Sequence, residues 1–231
     1  MILASNGIIA GKGLAPIVTS GLILLLDAGN SASYPGTGTI WTDLSGQNNN
    51  GTLLNGVGYS SSNGGVLTFD GVNDLISSFP SAFPNQTTKT LDIWFRSTSN
   101  VRQGLISNRQ GSTGWVLVIN KDASGRLEYY HTAGGSLLEI NVISINNWYN
   151  VVLTYDATNL STKLFLNGVN IKTGTLNLPV SSTFNGAIGN EQNIVSSPFK
   201  GDLPIVRIYN RVLSTAEITQ NFDITKTRFG L

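Results

Sequence analysis

The sequence predicts an all-β fold, and three observations support that prediction. Short apolar runs alternate with polar residues at a period of two, which is typical of half-buried strands. The runs recur about once every 8–12 residues, separated by stretches rich in Gly, Asn, Asp and Ser. Charged residues make up only 12% of the 231 residues and hydrophobic residues 40%, so the chain can form one sizeable core.

The clearest predicted element is a hairpin within Asn147–Gly168. One alternating run ends at Tyr155, turn formers occupy Asp156–Ser161, and a second run covers Thr162–Asn167. Both runs are apolar enough for a core, so we expect the other strands to be added around this hairpin. Those further strands are predicted at Leu22–Leu26, Val66–Asp70, Leu75–Ser78, Leu91–Ser97, Gly104–Asn108, Trp115–Lys121, Arg126–His131, Ser136–Asn141, Val169–Thr173, Phe184–Gly189 and Phe199–Tyr209.

Only one helix is predicted, and it lies close to the end of the sequence. Ser214-Thr-Ala-Glu217 is a capping box, in which the serine hydroxyl bonds forward and the glutamate carboxylate reaches back. We expect a turn or two of helix through Phe222. The sequence has no βαβ alternation and no repeat of fixed period, which favours an antiparallel sandwich over an α/β fold.

Composition argues against several classes of function. The 14 basic and 13 acidic residues give a net charge of +1, so no electrostatic attraction to nucleic acid or to an anionic membrane is expected. The longest early apolar run, Gly21–Leu26, ends at Asp27 and is far too short to span a bilayer, so membrane insertion is not expected. There is no cysteine, which excludes disulfides and thiolate metal sites.

The first twenty residues, Met1–Ser20, differ from the rest. Short apolar pairs such as Ile8-Ile9 and Ile17-Val18 are interrupted by glycines and Pro16, so this segment cannot bury itself. One interpretation is a docking arm that orders against another subunit or a larger assembly. The alternative is an edge strand with a frayed end.

Several motifs together resemble a known family. They are LLLDAGNSASYPG, TDLSGQNNNG, LTFDGVND, LDIWFRS, WYNVVLTYD, LFLNG and GDLPIVRIYNRVLSTAEI. As a set they are similar to the laminin-G-like branch of the concanavalin A-like lectin/glucanase superfamily, over roughly Gly21–Phe222. The resemblance implies a two-sheet antiparallel jelly-roll sandwich at residues 21–231, with its first and last strands side by side. The opening NGIIAGKG resembles the starts of tailed-phage virion proteins that carry such domains.

Catalysis is not expected from this sequence. Glucanases of this superfamily place three carboxylates at alternating positions of one strand, whereas the corresponding strand here, Lys89–Phe95, offers Asp92 alone. A retaining glycosidase needs two carboxyl groups about 5 Å apart. Glu128 and Glu139 lie on different predicted strands, and the only histidine, His131, has no nucleophile at a recognisable motif spacing.

Calcium is a candidate cofactor, because hard cations take carboxylates and carbonyls at loop ends. Asp27 ends the first strand and Asp202 begins the last, so pairing of these strands would bring them to one rim. Asp74, after a tight turn, is a third candidate. Laminin-G-like domains often hold calcium at such a rim, which is what the resemblance implies. The alternative is that Asp70, Asp74 and Asp202 bond turn amides.

Carbohydrate is a candidate ligand, since sugar rings stack on aromatic faces flanked by polar groups. The candidate residues are Tyr34, Trp41, Trp115 and Tyr130. Tyr129 and Tyr130 are adjacent on one strand, so they point to opposite faces and only one can meet a ligand. The alternative is that most of these rings are core residues, as we expect for Trp94 and Trp148.

These observations lead to a functional hypothesis. We expect a non-catalytic structural or adhesive virion protein, either decorating a capsid or forming part of a tail or fibre, with possible glycan binding by the jelly roll. Its partners would be other virion or surface-assembly proteins reached through the arm, and it would form a homo-oligomer. The alternatives are a free-standing carbohydrate-binding module of a bacterial surface protein and, third, a glycoside hydrolase.

Overall fold

A computed structural model shows the chain as two facing antiparallel sheets and one short helix, which confirms the predicted fold class. It describes residues 15–77, 79, 83, 87–120, 124–131, 135–139, 141–191 and 196–231. Most of the predicted arm therefore lies outside the described residues. No helix in the described ranges is both long and apolar enough to cross a bilayer.

The strands follow the predicted order, with shifts of a few residues at their ends. They are β1 (Leu22–Asp27), β2 (Ile40–Trp41), β3 (Gly51–Leu54), β4 (Gly58–Ser60), β5 (Val66–Asp70), β6 (Leu75–Ser77), β7 (Lys89–Ser97), β8 (Gln103–Ser107), β9 (Trp115–Ile119), β10 (Leu127–His131), β11 (Gly135–Glu139), β12 (Trp148–Tyr155), β13 (Ser161–Leu166), β14 (Val169–Thr175), β15 (Ala187–Ile188) and β16 (Lys200–Tyr209). The sequence pattern does not predict β2, β3 and β4, because strands of two to four residues are too short to show a period.

The first sheet has the strand order β14-β13-β12-β7-β16-β5-β4, and β1 also pairs with β16. Residues 205–209 of β16 pair with β1, and residues 200–203 pair with β5 on the same edge. The predicted pairing of the first and last long strands is thus confirmed. The second sheet has the order β11-β10-β9-β8-β15-β6-β3-β2.

The predicted hairpin forms, but it is not the centre of the fold. β12 and β13 pair from Val151–Leu166 to Tyr155–Thr162, and β12 joins the sheet through β7. The middle of the first sheet is instead the pair of β7 and β16, its two longest strands, which are buried on both faces. The turn-forming residues made the hairpin easy to predict from the sequence. Which strands lie in the middle of the sheet depends instead on pairing between strands that are distant in sequence.

The main core lies between the sheets and takes alternate residues from each strand. Leu91, Ile93 and Phe95 of β7 face Leu117 of β9 and Tyr129 of β10, and all five are fully buried. The intervening residues of β7, such as Asp92 and Trp94, therefore point to the outer face of the first sheet. Burial of both faces explains why β7 lacks a clean hydrophobic–polar alternation.

The helix forms a third layer on that outer face. It spans Thr215–Lys226, further than the predicted end at Phe222, and a 3₁₀ turn follows at Thr227–Phe229. The predicted capping box is present, with Ser214 and Glu217 bonded in both directions. Ile218 and Ile224 pack with residues of β1, β12, β13 and β16 in a second cluster. Trp94 is buried in a third cluster with Ile205 and Phe229, so it is a core residue as predicted, and Trp148 packs at its edge.

The end of the predicted arm belongs to this outer layer. Ile17 and Val18 are buried in the second cluster. The Val18 amide donates to Asn221 Oδ1, and the Tyr209 hydroxyl donates to the Val18 carbonyl. Residues 15–20 are therefore attached to the domain, and only residues 1–14 of the arm are left outside the described chain.

Candidate functional site

The three predicted calcium ligands occupy two separate environments. Asp27 and Asp202 both lie on the outer face of the first sheet, and each is paired with an arginine. Arg228 Nη1 is 2.7 Å from Asp27 Oδ1, and Arg96 Nη2 is 2.6 Å from Asp202 Oδ2. These two carboxylates are thus neutralised by protein cations.

Asp74 has the role of a turn carboxylate. Its Oδ2 accepts a hydrogen bond from the Asp70 amide, and Asp70 Oδ1 accepts one from the Val72 amide. Burial, partly opposed by that backbone hydrogen bond, raises the pKa of Asp74. Within the described residues, no three His, Asp or Glu side chains lie close enough to hold a metal ion. Calcium binding at Asp27, Asp74 and Asp202 stays a prediction.

The four candidate sugar-binding aromatic residues are distributed between the interior and the surface. Trp41 and Trp115 are fully buried in the main core, so neither indole presents a face to a ligand. Tyr34 is also buried, and its hydroxyl donates to the Gly38 carbonyl. Tyr130 is half-buried and lies on the outer face of the second sheet. As predicted, its neighbour Tyr129 points to the opposite side, into the core.

Tyr130 stands beside a group of charged side chains that we call the charged cluster: Arg102, Arg109, Glu128 and Glu191. Arg102 precedes β8 and Arg109 follows it, and both reach the carboxylate of Glu191. Arg102 does so with two bonds, from Nε at 2.7 Å and from Nη2 at 2.9 Å. Such a bidentate geometry fixes the orientation of both planar groups.

The backbone places Glu191 there through a close approach to β8. After β15 the chain lies directly against Gly104, where a Cβ atom would be 2.4 Å from Asn190 C and Glu191 N. A larger residue at position 104 would displace this segment. The Ser107 hydroxyl also donates to the Glu191 carbonyl at 2.6 Å. The position of Glu191 is therefore determined by its main chain as well as by its ion pairs.

Electrostatics keep Glu191 ionised. Burial raises the pKa of this carboxyl group, but hydrogen bonding from Arg102 and the charges of Arg102 and Arg109 outweigh it, so the pKa lies below its ordinary value. The hydrogen bond to Glu191 in turn raises the pKa of Arg102. Glu191 and Arg102 therefore stay charged across the physiological pH range.

The cluster leaves polar groups beside the tyrosine. The Arg109 guanidinium lies 5.4 Å from the Tyr130 ring centroid, a cation–π contact that holds the ring in place. Glu128 is two residues before Tyr130 on β10 and faces the same side. Arg102 Nη1 is buried, and no hydrogen-bond partner for it is found in the described ranges. A partly exposed ring and two partly exposed guanidinium groups are therefore adjacent on one face, above two buried carboxylates.

Asp92, the carboxylate considered for catalysis, is inaccessible. It lies beneath the helix, where Arg207 Nη1 is 2.9 Å from its Oδ2 and Asn150 Nδ2 is 2.7 Å from its Oδ1. Its side chain is only 1% exposed. A substrate could not reach it without displacement of the helix.

The sequence predicts Tyr130 as a candidate ligand residue, but it does not point to the charged cluster beside it. Glu128 could have been found, because it shares a strand face with Tyr130 at a spacing of two. Arg102, Arg109 and Glu191 carry no local signal, because their contacts join residues 82 and 89 positions apart.

Comparison with protein families gives one match. A family model for the concanavalin A-like lectin/glucanases superfamily matches residues 70–219, which is 150 of the 231 residues. The match includes Tyr130 and all four members of the charged cluster. No curated protein matches the chain.

Solved structures share the fold at low sequence identity. Domain 4 of AbnA, a GH43 extracellular arabinanase from Geobacillus stearothermophilus in complex with arabinotriose, has a TM-score of 0.69 at 18% identity, covering 89% of this chain and 98% of that one. The binding domain of botulinum neurotoxin serotype D has a TM-score of 0.68 at 16% identity, over 89% of this chain and 52% of that domain. A Trypanosoma rangeli sialidase in complex with sialic acid has a TM-score of 0.67 at 17% identity, over 94% of this chain and 35% of that enzyme.

Proposed function

Because this chain belongs to the concanavalin A-like lectin/glucanases superfamily, we propose that it is a non-catalytic glycan-binding module. The observation that supports this proposal is the position of Tyr130 beside the charged cluster. Of the four predicted aromatic ligand residues, Tyr130 alone lies at the surface. The binding face is then the outer face of the second sheet around β8 and β10.

The chemistry of this face suits a sugar. The apolar face of a sugar ring packs against an aromatic side chain, and its hydroxyl pairs bond to planar groups that carry two donors or two acceptors. The partly exposed side chains of Arg102 and Arg109 supply the donors, while the buried carboxylate of Glu191 holds both guanidinium groups in place. The ion pairs hold these groups in fixed positions before a ligand arrives, which reduces the entropy cost of binding.

The non-catalytic part of the proposal is supported by the states of the carboxylates. Asp92 is buried under the helix in an ion pair with Arg207. Glu191 is held by two arginines and has a lowered pKa, so it is unsuited to donate a proton as a general acid.

Two of the structurally similar proteins were solved with carbohydrate, the arabinanase domain with arabinotriose and the sialidase with sialic acid. At identities below 20% the likeness extends only to the fold. Those two sugars are therefore suitable first probes rather than assigned ligands.

The glycan proposal is tested by replacing Tyr130. We expect the protein to bind at least one member of a panel of neutral and acidic oligosaccharides that includes arabinotriose and sialic acid. Tyr130→Ala should weaken that binding about tenfold or more, since loss of a stacking ring removes on the order of 1.4 kcal/mol or more. Isothermal titration calorimetry measures the dissociation constant.

The matched control is Tyr59→Ala. Tyr59 is 37% exposed on β4, an edge strand of the other sheet, so its loss should leave glycan binding unchanged. Equal weakening by both substitutions, or no binding to any sugar of the panel, would contradict the proposal.

A second candidate function is structural, as a component of a virion or of a cell-surface assembly. It is favoured by the way residues 15–20 are held. Besides the two bonds at Val18, the Ser20 carbonyl accepts a hydrogen bond from Arg211 Nε, and the Pro16 carbonyl accepts one from Gln220. The described chain therefore starts at a fixed point beside the helix, which suits a docking role for the segment before it.

This second proposal predicts that deletion of residues 1–14 abolishes self-association without unfolding the domain. Light scattering measures the mass of the full and the shortened chain, and calorimetry compares their melting temperatures. As a control, deletion of residues 1–20 should also lower the melting temperature, because Ile17 and Val18 lose their buried contacts. A shortened chain that associates like the full one would rule out the arm as the docking segment.

A further inference from the structure

The interior of the sandwich contains a polar layer at one end. Lys89, Tyr155 and Thr162 lie in register across the first sheet, and Trp115 and His131 lie in register across the second. Lys89 Nζ is 4.8 Å from the centroid of the Tyr155 ring and 5.4 Å from that of the Trp115 ring, so the two rows meet. The Tyr129 and His131 rings are 5.8 Å apart. We call these six residues the polar layer, and each is fully buried.

Several polar atoms of this layer have no hydrogen-bond partner among the described residues. No hydrogen-bond partner in the described ranges is found for either ring nitrogen of His131, for the Tyr129 hydroxyl or for Thr162 Oγ1. Leaving a buried polar group unbonded is costly, so groups of this kind are nearly always satisfied in folded proteins. Four such atoms in one layer indicate a bound polar species.

The chemistry of the layer favours an anion. Lys89 supplies an ammonium group, Tyr129 and Thr162 supply hydroxyl donors, and His131 supplies a ring N–H. The charge of Lys89 acts on His131 of β10, and Lys89 Nζ also donates a hydrogen bond to the Thr87 carbonyl at 3.3 Å. None of the six residues of the layer is acidic. We propose that this layer is a binding site for a small monovalent anion such as a halide.

Protonation of Lys89 should be linked to this binding. Burial lowers the pKa of Lys89 to about 7, and burial together with the charge of Lys89 lowers the pKa of His131 to about 4. An anion stabilises the ammonium form, so the anion and a proton bind together. Binding is therefore expected to be strong at pH 6, where Lys89 is charged, and weak at pH 9, where it is neutral.

The experiment uses bromide as the probe and the melting temperature as the readout. At pH 6, bromide should raise the melting temperature of the full chain above its value in fluoride or sulfate of equal ionic strength, and at pH 9 the difference should vanish. Lys89→Met should remove the bromide effect at both pH values, and Thr162→Val should reduce it. Lys163→Met, an exposed lysine on β13, is the control that should leave it unchanged.

Two outcomes would overturn the proposal. One is an equal response to bromide, fluoride and sulfate, which would mean a general salt effect. The other is a bromide effect that persists in Lys89→Met. Bromide-soaked crystals provide a direct check, because an anomalous peak is expected within bonding distance of Thr162 Oγ1.

Discussion

Replacement of Arg207 with alanine should lower the free energy of unfolding by about 3–5 kcal/mol, the usual effect of removing one partner of a buried ion pair. Arg207 and Asp92 are 2% and 1% exposed, and their charged atoms are 2.9 Å apart beneath the helix. Arg207 Nη2 also donates to Thr225 Oγ1, so the pair connects the sheet to the helix. Without the guanidinium, the carboxylate of Asp92 would stay buried with only amide partners. Urea unfolding measures the change.

The control for this prediction is Arg96→Ala on the same outer face. Arg96 and Asp202 are 35% and 12% exposed, so water screens their attraction. We therefore expect Arg96→Ala to lower the free energy of unfolding by only about 0–1 kcal/mol. The double variant Asp92→Asn with Arg207→Met removes both charges and keeps an oxygen for Asn150, so it should recover part of the loss. If Arg207→Ala costs no more than Arg96→Ala, the buried pair does not hold the helix layer in place.

The stability of the protein should rise with pH because of Lys89. Burial lowers its pKa from 10.5 to about 7, so the unfolded chain binds more protons than the folded one between those values. Below pH 7 Lys89 is protonated in both the folded and the unfolded chain, so the full cost of burying its charge lowers the free energy of unfolding. As pH rises from 7 to 9.5, the free energy of unfolding should increase by about 3 kcal/mol, at 1.36 kcal/mol for each pH unit.

Lys89→Met isolates this effect, because it keeps the long side chain and removes the charge. In halide-free buffer the variant should be more stable than the parent chain at pH 6–7, and this advantage should shrink toward pH 9.5. Tyr129 and Tyr155 are present in both proteins, so their own titration cancels in the difference. Chemical unfolding of both chains across this pH range provides the measurement. A parallel pH dependence in the two chains would show that Lys89 does not titrate near neutrality.

Local sequence patterns were sufficient to predict most strands and the start of the helix. The capping box at Ser214 and the hairpin around Asp156 are encoded by residues a few positions apart, and both are found where predicted. The helix runs beyond Phe222 because Ile224 and Phe229 find apolar partners on the sheet. Such partners are distant in sequence, so no local signal could predict that extension.

The candidate site was only partly predictable for the same reason. Alternation on a strand predicts that Tyr129 and Tyr130 point to opposite faces, so that only one of them can meet a ligand. The pairing of Glu191 with Arg102 and Arg109 depends on the return of the chain after β15, which composition and periodicity do not reveal. Trp41 and Trp115 were named as ligand candidates because both lie beside predicted loops, yet their rings turn into the core.

The sequence by itself determined the fold class, the family and most of the strands, because these depend on period, turn chemistry and a set of ordered motifs. Only the tertiary structure decided which strands are central and which side chains are accessible. It placed β7 and β16 in the middle of the first sheet, buried Asp92 beneath the helix and brought Lys89 against His131. Burial and charge pairing arise from contacts between segments that are distant in sequence. This chain has few charged residues, and no local pattern shows which of them will pair.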